Sequence, residues 1–313
     1  MIATHHPVRP TDAPESQRGF ALLLVIWVLA LLALLAAGVA ADTSSETVIA
    51  RNHLDIASAR DAAESGVSLA ILGLLDPDPT KRLPADGSLK NFQFGDTRVA
   101  VSIADEGGKI DLNAAPADLI GGLADEFGID ASDRSALLAG IAARRASFAK
   151  IADSAAMSLA FAGDIEGADP GGLGLQAFAD TSEILSLPGL SHDAATRLLP
   201  YLTVYSQLAT INPLTAPREI LLAVPGIGPE EVDFFLNGRH QTDFEKPALS
   251  GIDRYVAVTP LRAITITARS RTGTASFTRE AVVLISGNLA LRPYRILRWQ
   301  QPHETSPSLA AAS

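Results

Sequence analysis

The residues that could carry chemistry are few and badly spaced for catalysis. The six histidines, His5, His6, His53, His192, His240 and His303, form no HExxH or other metal-ligand spacing, and neither a nucleophile elbow nor a Walker loop occurs. Gly226-Ile227-Gly228 is too short for a dinucleotide fingerprint. The chain has no cysteine, which rules out disulfides, thiol catalysis and Cys-ligated zinc. The expectation is a protein that is not an enzyme and has no certain cofactor. Two short stretches still have chemically pointed residues. Asp164-Ile165-Glu166-Gly167-Ala168-Asp169 spaces carboxylates around a glycine, so Asp164, Glu166 and Asp169 are candidate calcium ligands, although such a run more commonly is a solvated acidic loop and this one does not match an EF-hand. Arg18-Gly19-Phe20 is the other, a small residue between a cation and an aromatic where a peptidase could cut.

What positions that junction is an apolar run over 20–41 with no charged residue. At about 1.5 Å per residue a helix of this length crosses a hydrocarbon core of about 30 Å. A secretory signal peptide ending near Val39-Ala40-Ala41 is one alternative, but its apolar region would usually be only about 7 to 15 residues long. An uncleaved single-pass anchor is the other. Arg9 and Arg18 place the N-terminal end on the cytoplasmic side.

The body beyond is globular by composition: 19% charged and 47% hydrophobic residues argue against disorder, save at the leader and the tail 301–313. A net charge of −10 argues against a general nucleic-acid binder. The charge is uneven, with arginines gathered over 254–298 and acids over 105–183. The spacing predicts a helix over 43–75, with Val48, Ala50, Leu54, Ala57, Ala62, Val67, Leu69 and Leu72 as its packed stripe and Asp76-Pro77-Asp78-Pro79 as its stop. After a loop over 81–89, strands are predicted at 91–94 and 97–103 around a Gly95-Asp96 turn. Strand character returns only at 255–258, 261–269 and 275–285, with a turn at Arg271-Thr272-Gly273-Thr274 and a last strand over 292–299.

Between the halves of this split sheet, 111–250 reads as a separate all-helical domain. It carries a weak internal repeat, 110–120 against 211–221, in which Asp111 and Asn212 cap a turn, Pro116 and Pro217 open a helix, and Asp118 and Glu219 suit its N-terminal dipole. Leu187-Pro188-Gly189-Leu190-Ser191 and Val224-Pro225-Gly226-Ile227-Gly228 look like the hairpins of helix-hairpin-helix units. In DNA-binding examples such a hairpin offers N–H groups to a phosphate. Here Asp193, Glu230 and Glu231 would repel it, so a structural role is expected and no nucleic acid is expected as partner.

From Arg18-Gly19-Phe20 through Leu29 the chain resembles the leader and anchor of type IV pilins and type II secretion pseudopilins. The series Asp105-Glu106-Gly107-Gly108-Lys109-Ile110-Asp111-Leu112-Asn113, then 182–190, 211–227 and 294–299, resembles the K subunit of type II secretion, the large minor pseudopilin. That resemblance implies cleavage by prepilin peptidase between Gly19 and Phe20, N-methylation of Phe20, and an inner-membrane protein with its C-terminal body in the periplasm. It implies an α+β, pilin-like fold in which a long N-terminal helix packs on an antiparallel sheet interrupted by the helical insert. It also implies a place at the pseudopilus tip with minor pseudopilins I and J, starting assembly and supporting export of folded proteins across the outer membrane. Major pilins have a glutamate where this chain has Leu24; by the resemblance, its absence is the habit of the K subunit and points to a place at the tip. The family's acidic, tryptophan-containing stretch is absent, its place taken by 141–148. The expected division is a leader 1–19, a span 20–41, a periplasmic extension 42–75, a sheet domain 91–110 plus 251–300, the insert 111–250 and the tail. A type IV minor pilin and an anchored DNA-uptake receptor are the alternatives.

Overall fold

The computed structural model describes residues 17–161, 176–239, 253–285 and 293–302. The chain divides into two units, Met1–Ala57 and Ser58–Ser313, and the division falls inside the first helix, α1 (Gln17–Leu74). In the first unit Phe20–Ala37 is fully unburied and has a mean hydropathy of 3.0, long and apolar enough to cross a membrane by length and composition, as a signal sequence would also be.

In the second unit the C-terminal turns of α1 lie on a five-stranded antiparallel sheet of order β1-β2-β5-β6-β7. The strands are β1 (Asp86–Phe94), β2 (Thr97–Asp105), β5 (Ala263–Thr272), β6 (Ala275–Ile285) and β7 (Tyr294–Gln300). Gly95 and Gly273, both at positive φ, turn the β1–β2 and β5–β6 hairpins, which is why glycine stands there. Alternation sets the faces. Val99, Val101 and Ile103 of β2 and Ile264, Ile266 and Ala268 of β5 join Ala62, Ala63, Val67, Ala70, Ile71 and Leu74 of α1 in one core. The helix approaches closely because Gly66 has no Cβ; one added there would lie 2.8 Å from Val99.

Three expectations need correction here. The packed stripe of α1 is not the one the spacing predicted: of its eight residues only Ala62 and Val67 are buried, while Leu54 and Leu72 are 68% and 66% exposed. The sheet selects the face of small residues because only that face lets two backbones come near. β1 begins at Asp86 rather than at 91, past a bulge between Asp86 and Leu89. Residues 255–258 form no strand, only a parallel bridge from Val256 to Ile211.

β2 and β5 are hydrogen-bonded neighbours although the insert separates them. Within it lie α2 (Ala117–Glu126), α3 (Ala131–Phe161), α4 (His192–Leu198), α5 (Arg218–Leu222) and α6 (Pro229–Gly238). Among the described residues the insert is helical apart from one two-residue parallel ladder, β3 (Ile110–Asp111) with β4 (Leu202–Thr203). A second core gathers Leu112, Leu119, Leu123, Phe178, Ile184, Leu198, Ile211 and Ile220, among others.

Candidate functional site

The Asp105–Asn113 stretch is a hydrogen-bonded joint between sheet and insert. Asp105 Oδ1 accepts the Gly107 N–H at 2.9 Å, and its Oδ2 accepts Asn212 Nδ2 at 3.1 Å and Thr215 Oγ1 at 2.9 Å. Glu106, 2% exposed, accepts Lys109 Nζ and Thr265 Oγ1, each at 2.6 Å. The Asn212 N–H donates to the Gly107 carbonyl at 2.7 Å. At Gly108 a Cβ would meet the Thr215 backbone at 2.8 Å, so only glycine lets the two segments touch.

Asp111 anchors the first turn of the repeat. Its Oδ1 accepts the N–H groups of Asn113 and Ala114 at 2.7 and 3.2 Å, and its Oδ2 accepts Ser206 Oγ at 3.0 Å and the Gln207 N–H at 2.8 Å. Asn212 does the local part of this in the second turn, its Oδ1 taking the Leu214 N–H at 3.2 Å. Pro116 and Pro217 both stand at the N-cap, in extended backbone, of α2 and α5. Burial pushes the carboxyl groups of Asp105 and Asp111 above the ordinary 3.8, and their hydrogen bonds offset only part of that rise. These acids are held in hydrogen-bond networks, and their shifts reflect burial there.

The segment standing where the acidic tryptophan stretch would be does structural work that sequence reasoning missed. Arg145 donates from Nε to the Leu112 carbonyl and from Nη1 to the Ala115 carbonyl, each at 2.8 Å, closing the end of the Asp111 turn. Arg144 donates to the Ala177 carbonyl at 2.8 Å, pairs with Glu183 and lies 4.7 Å over the Phe178 ring. Their spacing to Leu112 and Phe178 in the chain is long, and the only signal was a pair of adjacent arginines within α3.

Both hairpins turn on glycines at positive φ, Gly189 at 80° and Gly226 at 94°. In each hairpin a carboxylate of the chain itself holds a donor. The Ser191 N–H and hydroxyl donate to the two oxygens of Asp133 at 2.8 and 2.6 Å, and the Gly228 N–H donates to Glu231 Oε2 at 3.0 Å. A carboxylate beside each hairpin competes with a phosphate for those donors and repels it.

At the N-terminal junction, Gly19 lies in α1, Phe20 is 71% exposed and Leu24 is 52% exposed. Asp164, Glu166 and Asp169 lie outside the described residues. Among the described residues no group of three acids or histidines is arranged to hold a metal ion.

No protein-family model matches this chain. No curated protein matches it either. Among solved structures it is similar to the GspK-GspI-GspJ complex from the type 2 secretion system of enterotoxigenic Escherichia coli, with 16% identity, covering 83% of this chain and 99% of that one, at a TM-score of 0.48. A likeness of this extent fixes neither partner nor activity.

Proposed function

We propose that the chain is a minor pseudopilin of type II secretion, cut by prepilin peptidase between Gly19 and Phe20, methylated on Phe20 and stored in the inner membrane through 20–41. Its body then lies in the periplasm and joins the pseudopilus tip with minor pseudopilins I and J. It acts by assembly, starting the filament that supports export of folded proteins across the outer membrane. The observation that carries this reading is α1: an uncharged, fully unburied Phe20–Ala37 begins one residue after Gly19 in a helix whose far turns cover an antiparallel sheet. Beyond the span α1 also leaves Val48, Ile49, Leu54, Ile56, Leu69 and Leu72 exposed, apolar surface that other pilin helices would cover in a bundle. Leu24, which has no carboxylate to pair a neighbour's terminal amine, fits a tip subunit.

The DNA-uptake alternative loses support because the carboxylates of Asp133 and Glu231 take donors of both hairpins. Duplex DNA binding at low salt would restore it. Calcium at Asp164, Glu166 and Asp169 is a dependent proposal; calorimetry without heat at millimolar calcium, with unchanged melting, disposes of it.

N-terminal sequencing and intact mass of protein recovered from membranes test the main reading. A methylated start at Phe20 is expected, and a water-soluble product starting at Asp42 overturns it. Gly19→Leu is expected to retain the leader, and normal shortening of that variant contradicts the cleavage site. Recovery of Leu24→Glu in full complex with its partners would weaken the tip assignment.

A further inference from the structure

One face of the sheet carries the α1 core; the other is divided. Toward β7 the insert covers it: Glu106 accepts Thr265 Oγ1, and Arg298 pairs with Asp180 at 2.7 Å. At the hairpin end the same face is open. There Arg98 of β2 stands directly opposite Arg271 of β5, and Arg269 stands opposite Ala100 on the next row. All three arginines are exposed. Gln93, Asn91, Ser276 and Thr278 complete those two rows. Two acids border the block, Asp96 in the β1–β2 turn and Glu280, whose carboxylate accepts Gln300 Nε2 at 2.9 Å. Among the described residues none of the three arginines has an ion pair.

Like charges directly across two strands are unfavourable, and here they persist in a chain of net charge −10. An anionic partner removes that cost. The patch offers no large apolar or aromatic anchor in these rows, which a protein interface core would need. It is a flat array of guanidinium, amide and hydroxyl groups, the chemistry that meets a plane of phosphodiester headgroups. Ser270, between Arg269 and Arg271, faces the other way and donates its hydroxyl to the Ala59 carbonyl at 2.5 Å, so the three arginines stand on the sheet face away from α1.

We propose that Arg98, Arg269 and Arg271 form a docking surface for anionic phospholipid headgroups, which lays the body against the membrane while the subunit is stored there. This rests on the anchored reading above. Three arginines give weak attraction, but a tethered body meets the headgroups at high local concentration and weak attraction then suffices.

The full-length protein, free of cysteine, is given one label by Ser276→Cys and reconstituted into phosphatidylcholine vesicles without or with phosphatidylglycerol. Energy transfer from the label to a headgroup dye is expected to rise with phosphatidylglycerol, to fall with salt, and to be lost in Arg98→Gln/Arg269→Gln/Arg271→Gln. The matching lysine variant should retain it. Each arginine removed should lower the docked-to-undocked ratio roughly fivefold. Transfer indifferent to phosphatidylglycerol, or equal in the glutamine variant, overturns the surface, including in favour of an acidic protein partner. Flotation with phosphatidylcholine vesicles alone tests the anchor separately: a chain that fails to float there has lost the anchored reading, and the phosphatidylglycerol response still decides the patch.

Discussion

The two turns of the internal repeat share a sequence pattern and differ in what they hold. In the first, a charged residue, Asp111, takes four donors and ties the turn to the segment after β4, with Arg145 closing the carbonyl end. In the second, neutral Asn212 accepts locally and donates to Asp105, tying the insert to the sheet. One copy makes the insert coherent, and the other fastens it. An amide does the fastening because it faces a carboxylate; a second carboxylate there would repel Asp105.

The most severe way to break the comparison is Asp111→Ala. Four donors lose their acceptor, and a loss of about 3 to 4 kcal/mol is expected by chemical denaturation. Hydrogen exchange should show the 110–115 turn opening ahead of the β5–β6 hairpin. Gly122→Ala comes next. It attacks the contact between the helices that follow the two turns, since a Cβ at Gly122 would sit 2.0 Å from the Ala223 carbonyl oxygen, which is backbone and cannot swing away. About 2 to 3 kcal/mol should be lost, with the melting temperature falling accordingly. Asn212→Asp sharpens the distinction between the copies. It should cost about 2 kcal/mol at neutral pH and much less near pH 4, where one of the paired carboxyls holds a proton. Equal cost at both pH values would refute the repulsion argument.

The smallest effect is a matter of titration. Asp105 and Asp111 bind their protons more tightly folded than unfolded, so their contribution to stability is fully present below the ordinary 3.8 and is lost as pH rises through the raised folded values. Asp180 does the reverse. Burial pushes it up, but hydrogen bonds from Ser182 and the charge of Arg298 outweigh that and bring it below 3.8, so its contribution exists above 3.8 and fades as pH falls through the lowered value. Carboxyl NMR titration should place the midpoints of Asp105 and Asp111 above 3.8 and that of Asp180 below.

Much of this was legible because it is local. The uncharged run 20–41, the turns at Gly95 and Gly273, and the capping by Asp111 and Asn212 depend on residues a few positions apart, where chain connectivity fixes the geometry. The candidate hairpins were legible as turns, but the bond from Ser191 to Asp133 was not, because that carboxylate comes from a helix 58 residues earlier in the chain.

The sequence by itself determined the apolar N-terminal segment, the strand hairpins and the Asx-capped turns, since each is set by period, steric freedom or a side chain reaching its own backbone. Only the tertiary structure decided which face of α1 packs, that Arg144 and Arg145 serve carbonyls and a ring far along the chain, and that the insert covers one half of the outer sheet face while leaving three arginines open on the other. Helix α1 shows the reason. It has apolar residues on more than one side, so periodicity allows several stripes, and the choice among them falls to whichever lets Gly66 and its alanine neighbours meet Val99 and Ala268 at close range.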